Sequence, residues 1–221
     1  QQYLLFLRDC VTGSFGQSLF YKMPVAALVL ERLPYTVGLV VYSTVLALAV
    51  ALPFAVLAAL RRGTVTDIAI RNLFVLMLAL PPFWLSFVFI LTLALGWGWF
   101  PTGGVGRSLG ENLHRMFLPA LVVGLSTAAL IQQSLRARLI DTLRADYVDT
   151  ARAKGLGRTR VFLRHVLPNS MISTISIIGV RVGWSIGGTV VVEKIFSVPG
   201  LGSLLIDSIL ARDLPVIRGL T

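Results

Sequence analysis

The chain has 221 residues, 56% of them hydrophobic and only 14% charged, against about 25% charged in soluble domains. Its mean hydropathy of +0.82 excludes an ordinary soluble domain and makes the bilayer crossings the first question. The formal net charge of +10 suits either nucleic acid or a membrane face; the basic residues cluster between apolar runs, which selects the membrane and leaves no role for nucleic acid.

Residues 1–34 read as an extramembrane segment, because Arg8, Asp9, Lys22, Glu31 and Arg32 interrupt every apolar stretch and "TGSFGQS" reads as a loop. Cys10 is the only cysteine, so the fold does not depend on an intrachain disulfide. The first residue is Gln1 and the last, Thr221, follows a polar segment, which suggests a chain trimmed at both ends from a longer protein. Tyr35 to Leu60 carries no charge and is long enough to span a bilayer. Pro53 inside it predicts a kink covered by neighbouring helices. Arg61 and Arg62 close the span.

A second charge-free run covers 72–100. It is interrupted by Pro81-Pro82, which is tolerable at membrane depth only where protein or water covers the freed carbonyls. Trp97, Trp99 and Phe100 form an interfacial aromatic belt, and "PTGGVG" reads as a loop. A third run covers 116–135. A fourth covers 171–192, broken only by Arg181. The predicted fold class is therefore an all-α membrane protein, a polytopic bundle with four membrane helices, with no internal repeat and no coiled-coil heptad.

Orientation follows from the basic residues beside the spans. The 61–71 loop holds Arg61, Arg62 and Arg71, and the 136–168 loop holds eight basic residues from Arg136 to Arg164. The 101–115 loop holds only Arg107 and Arg115. The first two loops are expected in the cytoplasm, with 1–34, 101–115 and 193–221 outside.

In the long basic loop, residues 139–155 read as one helix, with Leu139, Leu143, Tyr147 and Ala151 forming an apolar stripe. Gly155 and Gly157 mark its end. A short helix is expected from Arg158 to Leu167, stopping near Pro168, with Asn169 or Ser170 capping the next membrane helix. Pattern alone leaves two readings open: an amphipathic helix resting on anionic lipid, or a helix presented to a partner's groove. The glycine turn favours the groove, since a lipid-surface helix needs no reversal.

The string "DYVDTARAKGLGRTRVFLRHVLPN" resembles the EAA loop of binding-protein-dependent ABC importer permeases. That pattern is Glu-Ala-Ala, three residues, Gly, nine residues, then Ile-x-Leu-Pro. Here it runs Asp149-Thr150-Ala151, Gly155, and His165-Val166-Leu167-Pro168. The spacing is intact, with Asp for Glu, Thr for the first Ala and His for Ile. "ERLPYTVGLV", "PPFWLSFVFILTLALGWGWFPTGG" and "GGTVVVEKIFSVPGLGSLLIDSILARDLPV" resemble the dipeptide/oligopeptide branch of that family. The resemblance covers about residues 1–218, as a single permease domain. Permeases of this branch usually have six membrane helices, and this chain would lack the first and the last.

The resemblance implies that Asp149, Thr150, Ala151, Arg152, Ala153, Lys154 and Gly155, with Leu167 and Pro168, form a coupling helix and turn seated on a nucleotide-binding subunit. The bland alternative is that Gly155 only caps a helix. Residues 193–212, including Glu193, Pro199 and Gly200, would form an extracytoplasmic gate or scoop-like segment, or else an ordinary connection. Gly187 and Gly188 are read as packing sites against a second, homologous permease. Arg181 is costly at membrane depth, so it faces the translocation pathway, or a buried partner, or snorkels.

The implied partners are that second permease, two ATP-binding-cassette subunits, an extracytoplasmic substrate-binding protein and membrane lipid, in a bacterial inner membrane. ATP and magnesium would sit on the ATPases, because this sequence has no Gly-x-x-x-x-Gly-Lys-Ser/Thr stretch. No cofactor is expected here, and no metal site, since His114, His165 and Cys10 lie far apart. Peptide is the implied substrate, with glutathione or nickel chelates as alternatives. The rival from another class, an intramembrane enzyme, lacks a catalytic constellation: the four runs hold no Asp, Glu or His up to Val192, and Ser43, Ser86, Ser126 and Ser185 have no histidine or lysine partner in sight.

Overall fold

The computed structural model describes residues 16–221, so the readings placed on Arg8, Asp9 and Cys10 lie outside the described residues. Among the described residues the chain is helical, apart from one isolated bridge between Gln17 and Pro24. The helices in chain order are α1 Val25–Leu60, α2 Val65–Ala79, α3 Pro82–Phe89, α4 Leu109–Thr142, α5 Asp146–Ala153, α6 Arg158–Val161, α7 Leu167–Gly188, α8 Val190–Ile195, α9 Leu201–Leu210 and α10 Leu214–Leu220. Wider π-type turns extend α3 over Ile90–Gly96 and join α6 to α7 over Phe162–Val166.

Two helices, α1 and α4, are each long and apolar enough to cross a membrane. Two bent pairs raise the number to four when each pair counts as one span. In the first pair the chain turns by 101° between Val65–Ala79 and Pro82–Gly96. The break falls at Leu80 and Pro81, where the proline ring disfavours a helical residue before it and Leu80 turns extended.

The chain divides into two compact units. The first contains the described residues through Val41, with 86–119 and 185–221. The second contains 42–85 and 120–184. The core of the second unit is built from small residues. Ala47, Ala51 and Ala58 of α1 meet Ala128, Ala129 and Ile131 of α4, with Ile70 and Phe74 of α2 filling the seam. A β-carbon on Gly124 would lie 2.8 Å from the Ser43 carbonyl oxygen, so these two helices approach backbone to backbone, as small residues permit in membranes.

In the first unit, Val25, Leu28, Leu204 and Val216 form the buried cluster. The Asp213 carboxylate accepts from the Ser18 hydroxyl (2.5 Å) and from the backbone N–H groups of Leu19 and Phe20. This closes the turn that leads into α1.

Several element boundaries differ from the sequence reading. α1 begins at Val25, before the charge-free run, and continues through Pro34 and Pro53. α4 extends beyond 116–135 on both sides and ends at Thr142. The single helix expected over 139–155 is two: the chain leaves α4 at Thr142, turns through Leu143–Ala145, and starts α5 at Asp146. Pro168 does not stop a helix. Helical turns run unbroken from Arg158 into α7, so Pro168 lies inside them, and the wide turns just before it accommodate the carbonyls that a proline displaces. Neither Asn169 nor Ser170 caps there. The Asn169 amide donates to the Tyr147 hydroxyl at 3.1 Å, and the Ser170 hydroxyl donates to the Val166 carbonyl at 2.8 Å.

Candidate functional site

The loop after α4 presents α5 on a fixed base. Val148 and Ala151 of α5, Val161 of α6 and Val166 pack with Leu135 and Leu139 of α4 and with Ala55 and Ala59 of α1. The apolar stripe is therefore Leu139, Val148 and Ala151. Leu143 is half-buried, and Tyr147 is largely exposed. One register shift explains the difference: the turn at 143–145 breaks the four-residue period, so Val148 takes the inward place assigned to Tyr147.

α5 ends in a complete glycine cap. The Leu156 N–H donates to the Ala151 carbonyl (3.3 Å) and the Gly155 N–H to the Arg152 carbonyl (2.9 Å), with Gly155 at φ +80°. This is the paired bond pattern of a Schellman turn, completed by apolar packing of Leu156 against the cluster that holds Ala151. The glycine is thus required by the backbone. Nothing lies within 4 Å of where its β-carbon would stand, so its outer side is open.

The other predicted residues of this loop divide cleanly. Asp149, Thr150, Arg152, Ala153 and Lys154 are exposed together on one surface. Ala151 faces inward, Leu167 is half-buried against the same cluster, and Pro168 is exposed. Arg152 and Asp149 form an exposed ion pair at 3.2 Å, worth little to stability and available to outside partners. Beside it, Leu60, Leu143, Val161, Phe162 and Val166, together with Arg152, Arg158 and Thr159, line a largely apolar cavity of about 420 Å³. The surface is therefore a mixed-charge ridge next to a largely apolar recess.

A tie that the sequence reading missed braces this base. Arg136 of α4 holds Asp67 of α2 through two bonds of 2.7 and 2.6 Å, and the Gly63 N–H donates to the same carboxylate. The available signal was Asp67 itself, the lone acid within an arginine-bearing loop.

The second predicted region lies in the first unit and is enclosed. Glu193 of α8 is fully buried. Its carboxylate accepts from the Thr36 hydroxyl (2.8 Å), the Thr189 hydroxyl (2.9 Å) and the Ser203 N–H (3.0 Å). Gly200 precedes α9 and carries no side chain to cap it, so Glu193 supplies the oxygen that an N-cap residue would, and the positive end of α9 offsets its charge. Thr36 also accepts from the Leu201 N–H at 2.8 Å. A β-carbon on Gly200 would come within 2.5 Å of both Glu193 and Thr36. Gly200 is buried and Pro199 half-buried. Glu193 is therefore a buried clasp, and no local pattern pointed to Thr36 as its donor.

Arg181 is exposed on α7, and Gly187 and Gly188 are exposed with nothing within 4 Å of their would-be β-carbons. Among the described residues no group of acids, histidines and cysteines could hold a metal ion.

Residues 51–221 match the family described as the binding-protein-dependent transport system inner membrane component. The whole chain aligns at 41% identity with the oligopeptide transport system permease protein AppB of Bacillus subtilis, covering 72% of that protein. It aligns at 36% identity over 98% of its length with the glutathione transport system permease protein GsiC of Escherichia coli strain K12, covering 69% of it.

Proposed function

The chain belongs to the binding-protein-dependent transport system inner membrane components, a family of transport permeases rather than enzymes, and on that premise we propose that it conducts peptides inward under the drive of ATPase subunits docked on α5. The observation that carries this reading is the surface formed by Asp149, Thr150, Arg152, Ala153 and Lys154. It is exposed, held on a buried base, and closed by a glycine turn that leaves room for a partner. Cations at Arg152 and Lys154 suit an acidic rim on an ATPase groove. A rigid base transmits a push that a loose loop would absorb.

Under this reading ATP and magnesium are bound by two ATPase subunits, and an extracytoplasmic binding protein delivers substrate. A second permease packs against α7, where Gly179, Gly183 and Gly187 recur every four residues and are exposed. Such spacing lets helix backbones approach closely. Arg181 on the same helix would then meet a peptide carboxylate in the pathway, since a charge at this depth is kept where water or an anion reaches it. The Glu193 clasp would hold the 193–212 segment in shape on the outer side, as a scaffold for a gate. No cofactor is needed in this chain.

Peptide is favoured because both aligned relatives are named for peptide-like cargo, oligopeptide and glutathione. Uptake of labelled dipeptide, oligopeptide and glutathione, by cells with and without this subunit, tests the substrate. The proposal predicts that dipeptide or oligopeptide uptake is lost with the subunit. Loss of glutathione uptake alone would replace it with the glutathione reading, and unchanged uptake of all three would overturn it. Exchanging Arg181 for Gln tests the pathway role, which predicts reduced uptake at normal protein levels.

A further inference from the structure

We infer that the polar cavity at the α1–α2 turn is a binding site for the phosphate headgroup of an anionic membrane phospholipid. The cavity measures about 400 Å³ and is lined by Arg62, Gly63, Asp67, Arg71, Arg136 and Asp141 among others. All of these residues lie in the second unit. Asp67 accepts its hydrogen bonds from Arg136 and the Gly63 N–H, and Arg71 acts on it through charge alone, the weakest of the influences on that carboxylate, so neither Arg62 nor Arg71 is tied to it. Arg62 and Arg71 take part in no ion pair among the described residues, and Asp141 is the one remaining acid on the lining. The cavity thus presents two guanidinium groups whose planar forks match phosphate oxygens.

Its position argues for a lipid over a soluble anion. The charge-free stretch of α1 ends at Leu60, 60% exposed and two residues from Arg62. On α2, Ile68, Arg71 and Val75 share one exposed face at spacings of three and four, with Ile68 47% and Val75 53% exposed. Arg71 therefore stands between two exposed apolar residues, with Asn72 as the other polar residue on that face. Acyl chains would cover Ile68 and Val75 while the headgroup takes the cavity. Basic pockets between membrane helices bind acidic headgroups in this manner, and a soluble phosphate would leave that apolar border in water.

The test uses the assembled transporter in nanodiscs of phosphatidylcholine carrying photoactivatable phosphatidylglycerol or, separately, photoactivatable phosphatidylcholine. Adducts are mapped by peptide mass spectrometry, with inorganic phosphate as competitor. The expected result is phosphatidylglycerol labelling at 60–75, insensitive to phosphate, and a drop of about tenfold in the anionic-to-zwitterionic ratio for Arg62→Gln/Arg71→Gln. Arg62→Lys/Arg71→Lys, which keeps the charge, should retain most of the labelling. Both positions are exposed, so the exchanges leave the core intact. An unchanged ratio in the Gln pair overturns the proposal. So does labelling confined to other segments, and so does competition by inorganic phosphate, which would assign the cavity to a soluble anion.

Discussion

At the scale of single residues, space and charge set the cost of each change. Gly200→Ala would drive a methyl group into Glu193 and Thr36, a buried overlap costing about 1–3 kcal/mol, read as a lowered unfolding temperature in detergent. Gly155→Ala should cost only about 1 kcal/mol, because its left-handed backbone is strained but its surroundings are open. Glu193→Gln replaces one accepting oxygen with an NH2 group facing either a hydroxyl pair or the Ser203 N–H, and about 1–3 kcal/mol should be lost. Burial pushes the Asp213 carboxyl up, but the Ser18 hydroxyl and the N–H groups of Phe20, Leu19 and Val216 outweigh it and hold it below its ordinary value. Its folded form therefore binds a proton less readily than the unfolded chain. The stability it contributes is complete above the ordinary carboxylate range and fades as pH falls through the lowered value. Asp213→Asn should flatten that acid limb, measured by unfolding across pH.

At the scale of elements, the Asp67–Arg136 tie between α2 and α4 has one partner almost fully buried and the other 16% exposed. Asp67→Asn should destabilise the protein by about 2 kcal/mol, because it removes the counter-charge and turns one of the two accepting oxygens into an NH2 group facing the guanidinium, and Arg136→Gln added to it should restore part of the loss. The candidate spans and the short helix closed by Gly155 were legible because charge-free runs and a glycine after an apolar stripe are local patterns. The break at Leu143–Ala145 was not, since the apolar period of four passes straight through it and only packing of Val148 reveals the new register. Pro168 misled for a related reason: the wide turns over Phe162–Val166 that accommodate it carry no residue signature. The long-range half of the Glu193 clasp was hidden because Thr36, one of its two hydroxyl donors, lies 157 residues away.

At the scale of the whole molecule, family membership makes this chain one component of a larger machine, and its central claim concerns how force enters. On the proposed function the exposed side of α5 meets the ATPase, while its buried side packs on the chain's own base. The most direct measurement places single cysteines at Ala153 and at Ala151 in a Cys10→Ser background. The assembled transporter is then exposed to a short thiol-to-amine crosslinker, and adducts with the ATPase subunit are scored on gels. The account predicts a strong adduct from Ala153→Cys and little from Ala151→Cys, with the Ala153 adduct suppressing ATP-driven uptake. An Ala153→Cys protein that assembles and transports, yet forms no adduct with the ATPase, would contradict it.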